Sequence, residues 1–295
     1  MQKKRTLLYR VIIAVSLIIL DTGVLLDAFV VAKTYQNVDP ADSTNTTTPS
    51  TSAVITSDSY QDENIAIQIE TVNENGVVYY VADIQLNSIE YLKTAFAQNA
   101  FGKNITQTTS SMAQSNNAIL AINGDYYGFR DTGLIIRNGV VYRDKARAYP
   151  DDQALLIQSD GSFSLVEEGG ANADALIASG VLQSLSFGPV LVKDGEIQSC
   201  QTSFVSAKAN PRTAIGIIAP LHYLIVVVDG RTSASSGMTL KQLAQVFVDR
   251  GATLAYNLDG GGSSTLWFNG KVINNPTDGR TDGERKVSDI LYIGA

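Results

Sequence analysis

The stretch NLDGGGSST, Asn257 to Thr265, sets a carboxylate directly before three consecutive glycines and three hydroxyl side chains. Glycines let another group approach the backbone closely, and successive backbone N–H groups in such a turn can form a concave nest for an anion. Asp259 would then be an acid or base held beside a place for charged oxygens. Three further stretches carry residues of matching chemistry: Asn123 and Asp125 in NGDYYGFRDTG, Arg212 in ANPRTAIGI, and Asp229 with Arg231 in VVVDGR. Each lies at the end or start of an apolar run, where a strand would hold a polar side chain in place. Ordinary alternatives exist, because aspartate after a strand often bonds local amides and most arginines make surface ion pairs.

Other chemistries are disfavoured by what the sequence lacks. No GK[ST] follows the glycines and no GxGxxG is present, which argues against nucleotide binding. His222 is the single histidine, it lies before an apolar strand, and no GxSxG elbow accompanies it, so a serine-hydrolase triad is not expected. Cys200 is the single cysteine, which excludes an intramolecular disulfide and a cysteine metal cluster. Asp278, Asp282 and Glu284 in PTDGRTDGE could meet calcium but depart from the EF-hand spacing. No cofactor is expected. The net charge of −7 argues against nucleic acid as a partner.

The elements that would position these residues are mostly strands: VVYYVADIQL, AILAING, GLIIRNGVVY, ALLIQSDGSFSLV, GPVLVKDGEI, TAIGII, HYLIVVVDG and TLAYNLDGGG. Asn138-Gly139, Asp160-Gly161 and Asp194-Gly195 predict tight hairpins. TLKQLAQVFVDRG predicts a helix, with Leu240, Leu243, Ala244, Phe247 and Val248 on one stripe, a capping box from Thr239 to Gln242, and Gly251 at its end. The expected fold class is mixed α/β: a strand-rich body with a few helices. One β-α-β unit, HYLIVVVDG to TLAYNLDGGG, is expected to carry the site. A right-handed crossover there would bring Asp229 and Asp259 out at the same edge of neighbouring parallel strands, where ligands gather.

The N-terminal part is different in kind. Residues 1–10 are basic, 11–32 form an apolar run, and 33–53 read as a disordered Ser/Thr/Pro linker before a body at 54–295. About 20 helical residues suffice to cross a bilayer, and the basic residues before the run place the N-terminus inside and the body outside. The expectation is a retained signal-anchor, single-pass in the cell membrane, with an extracellular body. A cleaved signal peptide ending near Val30 to Ala32 is the alternative.

INGDYY, GPVLVKDG, NPRTAIGI, VVVDGR, TLKQLAQVFVDRGATLAYNLDGGGSSTLWFNG and ERKVSDILYI, in that order, resemble the phosphodiester glycosidases, over about Ile65 to Ile293. The resemblance implies an exported hydrolase that removes a sugar from a sugar-1-phosphodiester and leaves a phosphomonoester. For a bacterial member it suggests a cell-surface or exopolysaccharide substrate. By motif match it implies catalytic roles for Asp259, Asp229, Asp125 and Arg212. It implies substrate binding by Asn123, Arg231, Asn257, Gly260, Gly261, Gly262 and Ser263. Where the family often reads NGGYF, this chain reads NGDYY. Glycosidic cleavage usually flanks the anomeric carbon with two carboxylates, and arginine suits phosphate through its planar fork of donors. Asp259 is thus the expected nucleophile or base, with Asp229 or Asp125 as second carboxylate. Arg212 and Arg231 would hold phosphate, and the DGGGSS amides and hydroxyls the remaining oxygens. A non-catalytic surface module that binds glycan or phosphate is the competing expectation.

Overall fold

The computed structural model describes residues 2–38, 53–147, 152–199, 207–277 and 281–294. Among them 21 strands accompany four α-helices: the body is strand-rich with a few helices, as expected, and mostly β, so that mixed α/β describes it only loosely. The large sheet has nine strands, in the spatial order Glu196–Ile197, Val190–Lys193, Leu254–Asn257, Arg212–Ala219, His222–Val228, Val77–Leu86, Ile65–Glu74, Ser59–Gln61 and Val54–Ile55. A five-stranded sheet packs on it, in the order Lys271–Val272, Leu266–Phe268, Leu120–Asn123, Asp289–Ile293 and Leu92–Phe96.

Side-chain alternation explains the layers. In His222–Val228, Tyr223, Ile225 and Val227 point into a core shared with Leu120, Ile122, Leu266, Phe268 and Leu291 of the small sheet. Leu224, Val226 and Val228 point the other way, onto Leu240, Leu243, Ala244 and Phe247 of the helix Leu240–Asp249. This strand reads as continuously apolar because both of its faces are covered. On the far face of the small sheet, Ala121, Trp267, Ile290 and Tyr292 pack with Met112 and Ala113 of the short helix Thr109–Ser115. The result is four layers: helix, large sheet, small sheet, helix.

The expected helix forms with its capping box complete, Thr239 Oγ1 accepting from Gln242 N and the Gln242 side chain accepting from Thr239 N. The neighbouring parallel strands do not form. Leu254–Asn257 and His222–Val228 run in the same direction, but Arg212–Ala219 lies between them and is antiparallel to both. The reason is local: Arg212–Ala219 and His222–Val228 close as a hairpin through Pro220 and Leu221, whose φ of 66° permits the tight reversal, and the hairpin's first strand takes the intervening slot. The ends of both flanking strands nevertheless share an edge, and the first residue of the intervening strand, Arg212, joins them there.

Hairpin chemistry follows the dipeptides. Asn138-Gly139 and Asp194-Gly195 have positive φ at both residues, and Gly161 turns at +81°. Asn75-Gly76 and Asn269-Gly270 are built the same way.

At the N-terminus, a helix runs from Gln2 to Phe29, with Ile13, Ile18, Ile19, Leu20 and Phe29 among its exposed apolar side chains. Among the described residues no helix is long and apolar enough to cross a membrane. Described side chains begin at Ile13, so the start of the expected span, from Val11, lies outside them. The linker expectation is corrected at its beginning: Lys33–Asn37 is a strand paired with Ala100–Lys103, and Tyr35 meets Phe101 with ring centroids 5.9 Å apart. The Ser/Thr-rich residues 39–52 lie outside the described residues, as do Cys200 and Asp278.

Candidate active site

One end of the sandwich collects the chemistry. Leu254–Asn257 and His222–Val228 end there, Arg212–Ala219 starts there, and in the small sheet Leu120–Asn123 ends beside the start of Asp289–Ile293. Asn123 joins the two sheets at this point. Fully buried, it donates from Nδ2 to Asp259 O (2.7 Å) and accepts at Oδ1 from Thr213 Oγ1 (2.8 Å) and Thr265 N (3.3 Å). The expected substrate-binding amide is therefore a brace that fixes the glycine loop.

Asp259 is partly exposed at this end, its N–H donating to Gly124 O at 3.3 Å and its Oδ1 accepting from Gly260 N at 3.0 Å. Burial raises its pKa against the opposing influence of the Ser263 hydroxyl, Arg285, the Gly260 amide and Arg130. The glycines that follow permit close packing. A β-carbon at Gly260 would come to 3.0 Å from Pro211 O, and Gly261, at φ +63°, lies under the Arg231 guanidinium, whose Nη2 would be 3.1 Å from such a carbon. The glycines after Asp259 thus pack against the Pro211–Arg212 backbone and the head of Arg231.

Arg212 is buried, with Nε donating to Met238 O (3.1 Å) and Nη2 to Lys208 O (2.8 Å). Burial lowers its pKa, to about 10, and the neighbouring Arg231 pushes in the same direction. Arg231 is exposed, holds φ at 61°, and donates to Asn210 Oδ1 at 3.1 Å. Both arginine side chains border the glycine loop, Arg212 beside Gly260 and Arg231 over Gly261.

Most amides of the expected anion nest are engaged within the protein. The amides of Gly260, Gly261, Ser263 and Ser264 donate to Asp259 Oδ1, Pro211 O, Gly260 O and Gly261 O, because Gly261–Ser263 winds into a 3₁₀ turn. Gly262 and Ser263 are buried, and the Ser263 side chain bonds Asp259.

The remaining expected residues are placed as follows. Asp229 is 5% exposed, accepting at Oδ1 from Asn274 Nδ2 (3.1 Å) and Asn275 N (2.9 Å), and at Oδ2 from Tyr80 OH (3.4 Å). Burial raises its pKa while these donors oppose the rise. Asn274 also donates to Ser264 O at 3.0 Å, so Asp229 is linked to the glycine loop. Asn257 donates to Gly188 O at 2.8 Å and holds the Gly188-Pro189 turn. Asp125 is sealed in the interior, accepting from Ser186 N (2.7 Å) and Tyr127 N (3.2 Å) and paired with Arg137 at 3.2 Å. Its carboxylate is taken up by these groups. Glu284, weighed for calcium, accepts from Ser110 N at 2.9 Å at the start of Thr109–Ser115.

Sequence reasoning passed over Arg130 and Arg285, the two cations that act on Asp259. Arg130 stood inside the quoted NGDYYGFRDTG, and its position just after a 3₁₀ turn is a tertiary fact. Its Nη2 donates to Asp125 O and Ser186 O, both at 2.7 Å.

With this geometry in place, comparison with known proteins is direct. The family model described as phosphodiester glycosidase matches residues 116–294, and the chain belongs to that family. The SPbeta prophage-derived uncharacterized protein YomE of Bacillus subtilis is 34% identical over 239 residues, 74% of this chain and 36% of its own length. N-acetylglucosamine-1-phosphodiester alpha-N-acetylglucosaminidase of Bos taurus is 27% identical over 128 residues, 40% of this chain and 24% of its own length. The chain thus spans little more than a third, or less, of the curated relatives it matches. Among solved structures, the catalytic domain of the zebrafish N-acetylglucosamine-1-phosphodiester alpha-N-acetylglucosaminidase, auto-inhibited by its pro-peptide, has a TM-score of 0.63 at 21% identity, covering 78% of this chain and 83% of that one. A hypothetical protein from Synechocystis has a TM-score of 0.54 at 15% identity, covering 78% and 62%. These structures share the fold.

Proposed function

We propose that the protein hydrolyses the glycosyl–phosphate bond of a sugar-1-phosphodiester, releasing the sugar and leaving a phosphomonoester on its partner. The observation that carries this reading is the placement of Arg212 and Arg231 against the glycine loop that follows Asp259, Arg212 beside Gly260 and Arg231 over Gly261. Guanidiniums at that loop, one buried and one exposed, suit a phosphodiester, and the partly exposed carboxylate that begins the loop suits attack or base catalysis at the anomeric carbon. A phosphomonoester has a second pKa of about 6 and leaves readily, so charge on the phosphate matters more than a strong general acid. Of the two candidates for a second carboxylate, Asp229 fits better than Asp125. It is tied through Asn274 to the Asp259 loop, whereas Asp125 is held by Arg137 and Ser186.

On sequence alone, the apolar run of residues 11–32, with Lys3, Lys4, Arg5 and Arg10 before it, suggests a membrane anchor with an extracellular body. The substrate would then be a cell-surface glycan or glycolipid. The test is release of free sugar and phosphomonoester from a panel of sugar-1-phosphodiesters by the purified protein, with Asp259→Asn and Arg212→Ala alongside. Turnover that falls by about 10²–10⁴-fold in a folded Asp259→Asn is expected for a lost base or nucleophile. Absence of turnover by the unaltered protein across the panel, or full activity in Asp259→Asn, overturns the reading; the first outcome would favour a glycan- or phosphate-binding module.

A further inference from the structure

Tyr126 is an exposed aromatic in the body, 40% exposed, while Tyr127 beside it is 1% exposed. Its backbone lies in the left-handed region, φ 72° and ψ 17°, a conformation that costs a residue with a β-carbon about 1–2 kcal/mol and that glycine would adopt freely. One ring face is backed by Phe129, with centroids 4.7 Å apart and planes 26° from parallel, and the Arg130 guanidinium lies over the ring, its carbon 5.7 Å from the centroid.

The turn carrying this ring is held rigidly. Arg143 Nη1 donates to Arg130 O at 2.7 Å, Asn104 N donates to Gly128 O at 2.9 Å, and Arg130 is fixed by Asp125 O and Ser186 O. It is also adjacent to the candidate nucleophile: Gly124, two residues before Tyr126, accepts the Asp259 N–H, and Arg130 acts on the Asp259 carboxylate. Arg212 and Arg231 approach the same loop from the large sheet, whereas Tyr126, Phe129 and Arg130 belong to the segment that leaves the small sheet at Asn123.

We propose that the Tyr126 ring, backed by Phe129, is the stacking face for the pyranose of the substrate, so that the sugar lies on the small-sheet side of Asp259 and the phosphate on the Arg212–Arg231 side. This rests on the proposed reaction and assigns its two halves to opposite walls. An aromatic face presented rigidly, at a backbone strain that the local turn does not require of a tyrosine, is the arrangement that recognises the C–H face of a sugar ring.

The test compares Tyr126→Gly, Tyr126→Phe and the unaltered protein in three measurements: thermal unfolding, titration with methyl glycosides of several pyranoses, and inhibition by inorganic phosphate. Tyr126→Gly removes the ring and relieves the strain. Its melting temperature should stay equal or rise while methyl glycoside affinity and KM for any hydrolysed diester worsen by about ten-fold or more. Phosphate inhibition should stay unchanged, and Tyr126→Phe should keep sugar affinity within about three-fold, since the stacking face remains. Glycoside affinity that survives in Tyr126→Gly overturns the proposal, as does equal loss of phosphate inhibition or an unaltered protein that binds no methyl glycoside. Glycoside binding is read without turnover, so an inactive protein that binds sugar through Tyr126 would sink the hydrolytic reading and leave this subsite standing.

Discussion

Replacing Arg137 with methionine should destabilise the protein in a way that grows with pH. Arg137 is 2% exposed and sits between two buried carboxylates, 2.8 Å from Asp289 Oδ2 and 3.2 Å from Asp125 Oδ2, while also donating to Ser184 O. Burial works against its charge, but the two aspartates outweigh burial and raise its pKa. Burial pushes Asp289 up, to about 6, with Arg137 opposing the rise. Methionine would fill the volume and leave two carboxylates facing each other without their cation. Breaking a buried pair costs about 3–5 kcal/mol, which for a body of this size lowers the melting temperature by about 6–20 °C.

The pH dependence fixes the mechanism. In the unaltered protein Asp289 is ionised above about 6, whereas in the variant the missing cation raises the carboxyl pKa further and the folded state keeps a proton. Folded variant then binds more protons than folded wild type, so its stability relative to wild type falls by about 1.4 kcal/mol for each pH unit across that window. Thermal unfolding of both proteins at about pH 6 and about pH 8 checks this. A melting temperature within about 2 °C of wild type, or a deficit equal at both pH values, would refute the reasoning, since either means that the cation is not compensating buried charge.

Arg212→Lys should raise KM for a phosphodiester by about ten-fold or more with a smaller change in kcat, because an ammonium cannot supply the planar fork; steady-state kinetics at fixed ionic strength checks it. The acid limb of log kcat/KM should lie above the ordinary aspartate range of about 3.9, since burial raises the Asp259 pKa and the group must be ionised to act. The same raised pKa means that Asp259 contributes stability at low pH that is lost as pH rises through its folded value. Asp259→Asn should therefore be at least as stable as wild type at neutral pH. A limb at the ordinary range, or a destabilised Asp259→Asn, would count against the assignment.

The elements of this protein were legible in its sequence wherever the signal was local. Asn138-Gly139 and Asp194-Gly195 turn as their dipeptides require, and so do Asn75-Gly76 and Asn269-Gly270, which carry the same signal and were passed over. The helix Leu240–Asp249 has the stripe, capping box and terminal glycine that its residues specify. Lys33–Asn37 was misread as linker, because a short polar strand is recognised only by the partner strand that satisfies its backbone, here Ala100–Lys103.

For the site, the motifs marked the right loops but not what each side chain does there. Asp259, Arg212, Arg231 and the glycines meet at one end of the sandwich, while Asn123 and Asp125 turn inward as brace and buried ion pair. An aspartate after a strand reads the same whether it faces solvent or a buried arginine; Arg137, twelve residues beyond Asp125, decides the matter only once Asp289 is brought in from the other end of the chain. By itself the sequence determined the strands, the turns, the capped helix, the family and the loops that hold the chemistry, because hydrophobic period, backbone freedom and motif order are properties of neighbouring residues. The tertiary structure alone decided that Arg212–Ala219 would lie between the two strands bearing Asp229 and Asp259, and so which charges face each other. Sheet order is settled by which strands can bury their faces and pair their backbones together, a competition among segments far apart in the chain.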